Sequence, residues 1–233
     1  MYSRPQKLAA EFLGTFAVVL FSAGSICAEQ FLRGANSGAI SLLGMALAYG
    51  FAYAGMSAAL AHISGAHFNP AVTVGFWVTR RLGSFEALSY AVVQAGGAIA
   101  AAYALRFVIP EPVWQAVALG APGVANGISR LPAMLIEGFA TFFVVFVIFA
   151  AQSGDRSSMF LPGSLAGGLA ISVGSLFAGP FTGGAMNPAR ALGPALLANH
   201  WTNQGVYWVG PLAGGMFAAW LYDSVLARPA KRA

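Results

Sequence analysis

Six apolar stretches of bilayer-spanning length run along the chain, at about 8–30, 38–61, 85–108, 132–152, 161–179 and 205–227. A helix needs roughly 20 mostly apolar residues to cross a bilayer, and each stretch meets that length. Two further apolar stretches, about 69–78 and 188–197, fall after the second and after the fifth. Each is about half a span, a length that enters a membrane without crossing it. Composition points the same way. Charged residues are 8% and hydrophobic ones 58%, whereas ordinary soluble chains are roughly a quarter charged. So little polar surface cannot cover a water-exposed globule, and most of the exterior must face lipid. The expectation is an all-α membrane protein, one domain over 1–233, with six transmembrane helices and two re-entrant half-helices. No convincing cleavage site follows the first span, so it is expected to remain as a helix.

The formal net charge of +5 reflects a scarcity of acids rather than a basic stripe, and no nucleic-acid partner is expected. The single cysteine, Cys27, excludes an intramolecular disulfide and a cysteine-based metal cage. Lying in an apolar run, it reads as a packing residue. Neither a metal nor a cofactor is expected. With six crossings, both termini share one side, which collects Arg4, Lys7, Arg80, Arg81, Arg156, Arg228, Lys231 and Arg232. Arg33, Arg106 and Arg130 fall on the other. The excess of positive charge predicts cytoplasmic termini.

The chain also repeats itself. Ala10-Glu11-Phe12-Leu13-Gly14-Thr15-Phe16 is echoed by Ile136-Glu137-Gly138-Phe139-Ala140-Thr141-Phe142, Asn69-Pro70-Ala71 by Asn187-Pro188-Ala189, and Gly96-Gly97 by Gly214-Gly215. The glutamates are 126 positions apart and the Asn-Pro-Ala motifs 118, so the first copy carries eight extra residues between them. These are expected in the loop after the first helix, around Arg33–Ser37. The copies span about 6–108 and 132–227, joined by a loop at 109–131. Three crossings per copy is an odd number, so the second copy enters from the opposite face. Such inverted repeats place their functional site near the midplane, where the halves meet. The two glycine pairs are expected to permit close helix packing.

Each Asn-Pro-Ala reads as the start of a half-helix. Asparagine is a favoured N-cap and proline a favoured first helical residue. Inversion brings the two starts together at the membrane centre. The glycine-rich approaches, Ser64-Gly65-Ala66-His67-Phe68 and Thr182-Gly183-Gly184-Ala185-Met186, must run non-helically there. At that depth such backbone survives only where protein buries it or a wet cavity solvates it. Two positive helix ends would then face one point, with the amides of Asn69 and Asn187 as donors. Carbonyls of Gly65, Ala66, His67, Gly183 and Ala185 would serve as acceptors. A neutral hydroxylic molecule can exchange its hydration for this ladder, whereas a cation meets positive helix ends and Arg190.

His62-Ile63-Ser64-Gly65-Ala66-His67-Phe68-Asn69-Pro70-Ala71-Val72-Thr73 and Asn187-Pro188-Ala189-Arg190 resemble the two signature loops of the aquaporin, or major intrinsic protein, family, and the similarity covers about residues 6–227. The resemblance implies six tilted helices, two half-helices, and a homotetramer with one pore per subunit. It also implies a passive channel for water and small uncharged solutes, excluding ions and protons, set in lipid. The family's outer narrowing maps to Tyr49, Ser175, Gly184 and Arg190. Ser175 stands where water-selective members typically have histidine, and Ala191 where glycerol facilitators usually have aspartate. Ser175-Leu176-Phe177-Ala178-Gly179 and Gly183 to Leu196 are most similar to the nodulin-26-like group, in particular its silicic-acid-permeable members, which carry Ser, Gly and Arg at the last three filter positions. Tyr49 departs from their Gly. Ser175 and Gly184 together lead to an expected solute range of glycerol or metalloid acids such as boric, silicic or arsenous acid. The alternative is a strictly water-selective pore.

Other chemistries fit the residues less well. Intramembrane charge is costly and functional by default, which favours a filter role for Arg190. Glu11 and Glu137 would suit a proton relay in an ion-coupled transporter, but each more simply accepts hydrogen bonds from loop backbone and holds it in shape. His62 and His67 stand five apart, poor spacing for a helix-face metal site, and are read as structural. His200 is read as a surface loop residue. Ser64 near the two histidines is the one conceivable nucleophile, without a third partner, so no enzyme is expected. A structural junction protein with a closed pore is a further option.

Overall fold

The computed structural model describes residues 2–153 and 162–227. Arg156, Arg228, Lys231 and Arg232 lie outside the described residues. Long helices form at α1 (Arg4–Gly34), α2 (Ser41–Ser64), α4 (Ser84–Val108), α6 (Arg130–Ser153), α7 (Gly163–Thr182) and α9 (Val206–Leu221), and short ones at α3 (Pro70–Val78), α5 (Glu111–Ala116) and α8 (Pro188–Leu197). Five of the long helices are both long and apolar enough to span a membrane. The sixth, α9, has 16 α-helical residues and is prolonged by a π-helical turn over Tyr222–Leu226.

Local chemistry explains the ends. Ser3 and Gln6 form a capping box at the start of α1, with proline in its first turn. Gly65 and Gly183 take left-handed φ of +93° and +81° and stop α2 and α7, the usual geometry of a glycine C-cap. Both precede the half-helices by the same distance.

Among the described residues, Arg33 lies in α1 rather than in the loop after it, and part of the excess of the first half lies in its helices. Helix α1 has 31 residues against 24 in α6, and α2 has 24 against 20 in α7. The extension has a physical purpose: Glu29 on the added turns accepts from the backbone N–H groups of Ile40 and of Ser41 (3.1 Å for the latter) and from Arg33 Nε. The N-cap position of α2, Ile40, offers no side-chain cap of its own, so α1 supplies one.

Within the halves, α1 packs on α2 and α4, and α6 on α7 and α9; α2 and α7 join the halves. The half-helices cross over. Helix α3 packs mainly on α9 and α8 mainly on α4, so each short helix is seated on the other half. The glycine pairs serve these approaches. A Cβ on Gly97 would stand 2.4 Å from the Phe12 carbonyl oxygen, one on Gly214 2.1 Å from that of Gly138, and one on Gly215 2.8 Å from that of Ala71.

The polarity is that of a membrane protein. Phe21, Phe51, Phe107, Phe143, Phe217 and Trp220 are exposed, whereas Glu11, Thr15, Gln94, Glu137, Thr141, Thr182 and Arg190 are buried. Cys27 is buried in an apolar cluster with Ala23, Leu105 and Leu119. One end of the bundle carries Arg4 on Ser89 (2.7 Å), Lys7 on Glu86 (2.9 Å) and Arg81 on Asp223 (2.5 Å). Arg106 donates to the Leu197 carbonyl and Arg130 to Asn203.

Candidate functional site

The two half-helix tips meet. Asn69 caps α3, its Oδ1 accepting from Ala71 N at 2.8 Å, and Asn187 caps α8, accepting from Ala189 N at 2.9 Å and Arg190 N at 3.2 Å. Their amide nitrogens reach across. Asn69 Nδ2 donates to the Met186 carbonyl at 2.8 Å, and Asn187 Nδ2 to the Phe68 carbonyl at 2.9 Å. Each asparagine therefore closes its own helix and clasps the last carbonyl of the opposite approach. Pro70 and Pro188 occupy first helical positions, where no N–H is required, and Ala71 and Ala189 follow, both buried.

The approaches share one backbone pattern. Positive φ occurs at Gly65, Ala66 and Phe68 (+93°, +53°, +51°) and at Gly183, Gly184 and Met186 (+81°, +57°, +51°). Left-handed backbone at non-glycine residues costs of order 1 kcal/mol each, so something must hold it. Glu11 does so in the first approach: it accepts from Ser64 Oγ (2.7 Å), His67 N (2.9 Å), Phe68 N (2.7 Å) and Gln94 Nε2 (2.8 Å). Glu137 does so in the second, accepting from Thr182 Oγ1 (2.6 Å), Ala185 N (3.0 Å) and Met186 N (2.7 Å). Tyr90 and Tyr207 brace the entries by donating to the carbonyls of Ser64 and Thr182, both at 2.9 Å.

Of the five carbonyls expected as acceptors, three already receive protein donors. Gln152 Nε2 donates to Gly65 O (3.0 Å), Tyr53 Oη to Ala66 O (3.1 Å) and Tyr49 Oη to Ala185 O (2.7 Å). Among the described residues the carbonyls of His67, Gly183 and Gly184 meet no donor. The His67 ring is buried, 3.1 Å from Thr73 Oγ1 through Nδ1 and stacked on Phe76. His62 is exposed and lies edge-on to Tyr2. His200 is partly exposed.

Tyr49, Ser175, Gly184 and Arg190 gather around the second approach. The Tyr49 phenol has Asn187 and Arg190 as polar neighbours. A Cβ on Gly184 would lie 3.2 Å from Ser175 Cα and 3.3 Å from its carbonyl oxygen, so the two backbones touch. Arg190 is 2% exposed, and its Nη1 donates to the Gly120 carbonyl at 2.9 Å while Nε has no partner among the described residues. Three successive positive-φ residues, Ala118, Leu119 and Gly120, turn that carbonyl inward. Gln94, Gln152 and Gly120 were not foreseen from the sequence, because no counterpart in the other half marks them. Tyr53 carried a signal, since it follows Tyr49 by one helical turn on the same face.

The family model for "Major intrinsic protein" matches residues 2–222. The chain is 38% identical to aquaporin NIP1-4 of Oryza sativa subsp. japonica, covering 94% of this chain and 77% of that one. It is 41% identical to the lens fiber major intrinsic protein of Oryctolagus cuniculus, covering 93% and 80%, and 36% identical to aquaporin-4 of Mus musculus, covering 94% and 67%. Similar identity to a plant and to animal channels does not single out one subgroup. Its fold is similar to the X-ray structure of the aquaglyceroporin from Plasmodium falciparum, with TM-score 0.80 at 23% identity, covering 96% of this chain and 97% of that one.

Proposed function

Because this chain belongs to the major intrinsic protein, or aquaporin, family of integral membrane channels, which are not enzymes, we propose that it passively conducts water and small uncharged solutes such as glycerol or metalloid acids, excluding ions and protons. The observation that carries this is the tip-to-tip junction, with Asn69 and Asn187 each donating to the opposite approach. Two positive helix ends converge there with Arg190 nearby, which repels cations and opposes proton hopping, as in aquaporin-type pores generally. Tyr49, Ser175, Gly184 and Arg190 form the outer filter. The free carbonyls of His67, Gly183 and Gly184 replace the hydration of a passing molecule. Glu11 and Glu137 hold the approaches and move no proton, a role supported by their three or four donors each.

The small Ser175 and Gly184 support the wider solute range. One observation favours the narrower, water-selective reading: the Tyr49 phenol reaches across to Ala185 O. Stopped-flow swelling of proteoliposomes with water, glycerol and boric acid separates the two. Flux of all three is expected; water flux alone would leave only the water-selective reading. A homotetramer is supported by membership of the family, and an apolar groove of about 700 Å³ between α6 and α7, lined by Phe139, Phe143, Val147, Leu169, Val173 and Phe177, faces outward for lipid or a neighbouring copy. Cytoplasmic termini are supported by Arg4, Lys7, Arg80 and Arg81 near one end of the bundle.

A further inference from the structure

We propose that Tyr53, together with the hydroxyl of Tyr49, forms a two-phenol constriction that straddles the Asn69–Asn187 junction and sets the discrimination between water and larger hydroxylic solutes. The inference rests on the channel reading above. The two tyrosines stand one turn apart on the same face of α2. Tyr49 Oη bonds Ala185 O, two residues before Asn187, at 2.7 Å, and Tyr53 Oη bonds Ala66 O, three residues before Asn69, at 3.1 Å. One helix face therefore grips both approaches, one phenol on each side of the junction.

Both rings are buried, and Tyr53 is packed on two sides. Tyr49 is 3% exposed and Tyr53 4%. Tyr53 lies edge-on to Phe68, with ring centroids 5.9 Å apart. On its other side, a Cβ on Gly167 of α7 would stand 2.7 Å from Tyr53 Cε1. The phenols thus occupy two carbonyls of the approaches and close them to a permeating molecule. Ala66 and Ala185 are buried beneath the phenols, so a passing molecule is left with the carbonyls of His67, Gly183 and Gly184, and water, being small, needs only one acceptor at a time. A polyol needs several acceptors in register along one side, so it loses more to the two phenols than water does. The constriction adds a barrier that the small filter residues Ser175 and Gly184 do not supply.

The test is the ratio of glycerol to water permeability in proteoliposomes carrying the full chain, Tyr53→Phe, Tyr49→Phe, the double variant, or Tyr103→Phe, a lipid-facing control that is exposed. Removing one hydroxyl frees one carbonyl, and the ratio is expected to rise about fivefold, the factor that one ordinary hydrogen bond corresponds to. The double variant is expected to exceed either single one, and Tyr103→Phe to match the parent chain. Tyr53→Met, which also lacks the hydroxyl, guards against a folding defect peculiar to the phenylalanine variant and is expected to raise the ratio too. Unchanged ratios in Tyr53→Phe and Tyr53→Met, with water flux intact, would overturn the inference alone. A chain passing no water in any form would overturn the channel reading itself, and this inference with it.

Discussion

Ala66 and Gly184 occupy the same place in their approaches, three residues before the asparagine, and both adopt left-handed backbone, at φ +53° and +57°. The conformation alone therefore does not demand glycine there, since Ala66 carries a Cβ in it. What differs is the neighbour. A Cβ on Gly184 would stand 3.1 Å from Gly179 N, 3.2 Å from Ser175 Cα and 3.3 Å from Ser175 O. These are backbone atoms of α7, which cannot rotate away as a side chain can. Gly184→Ala is expected to lower stability by about 1–3 kcal/mol, adding close contact to left-handed strain. The added methyl also narrows the filter beside Ser175, so glycerol flux is expected to fall more than water flux. Thermal unfolding in detergent and a two-solute swelling assay read the two effects. A variant as stable as the parent would show that the approach can move away from α7.

Among the elements, the half-helices were legible because asparagine and proline state their own geometry: one caps and the other starts a helix wherever it stands. The long helices were legible because lipid demands apolar length. The far end of α1 was not. Glu29, Gln30 and Arg33 look like the end of an apolar run, and their helical state depends on a partner eleven or more residues away. Glu29 reaches the N–H groups of Ile40 and Ser41 only after α2 has docked. The same limit applied to the site. Asn69, Asn187, Glu11 and Glu137 could be singled out because they recur, whereas Gln94 and Gln152 have no repeat to mark them. The cap on α2 is testable. Glu29→Ala removes the carboxylate that accepts from the Ile40 and Ser41 N–H groups and pairs with Arg33, and is expected to cost about 0.5–2 kcal/mol, the range for loss of an N-cap. Water permeability per folded channel should be unchanged, because Glu29 touches neither approach. A fall in flux without a fall in melting temperature would place Glu29 in the conduction path instead.

Considered as a whole, the molecule is two halves that cannot complete themselves. Helix α3 is seated mainly on α9 and α8 mainly on α4. Gly75 of α3 meets Ala219 and the Gly215 carbonyl, and Gly193 of α8 meets Ala98, all within van der Waals contact of a built Cβ or closer. The asparagine clasp is likewise crossed, since each amide donates to a carbonyl of the other half. Alone, either half would expose to lipid a half-helix with unpaired backbone, and lipid offers no hydrogen bond in exchange. Each orphaned buried group costs about 1–3 kcal/mol, and both the Phe68 and Met186 carbonyls lose their donors at once. Dividing the chain within the connecting segment at about 121–129 therefore gives a sharp expectation. Neither half, expressed alone in membranes, is expected to resist protease or to conduct water, whereas the two expressed together are expected to co-purify and restore swelling. Water flux from a single half would mean that the passage does not run through the shared junction. Co-purified halves without flux would mean that the link between them does more than tether, for it carries Gly120, whose carbonyl holds Arg190, and that cleavage after it releases that grip.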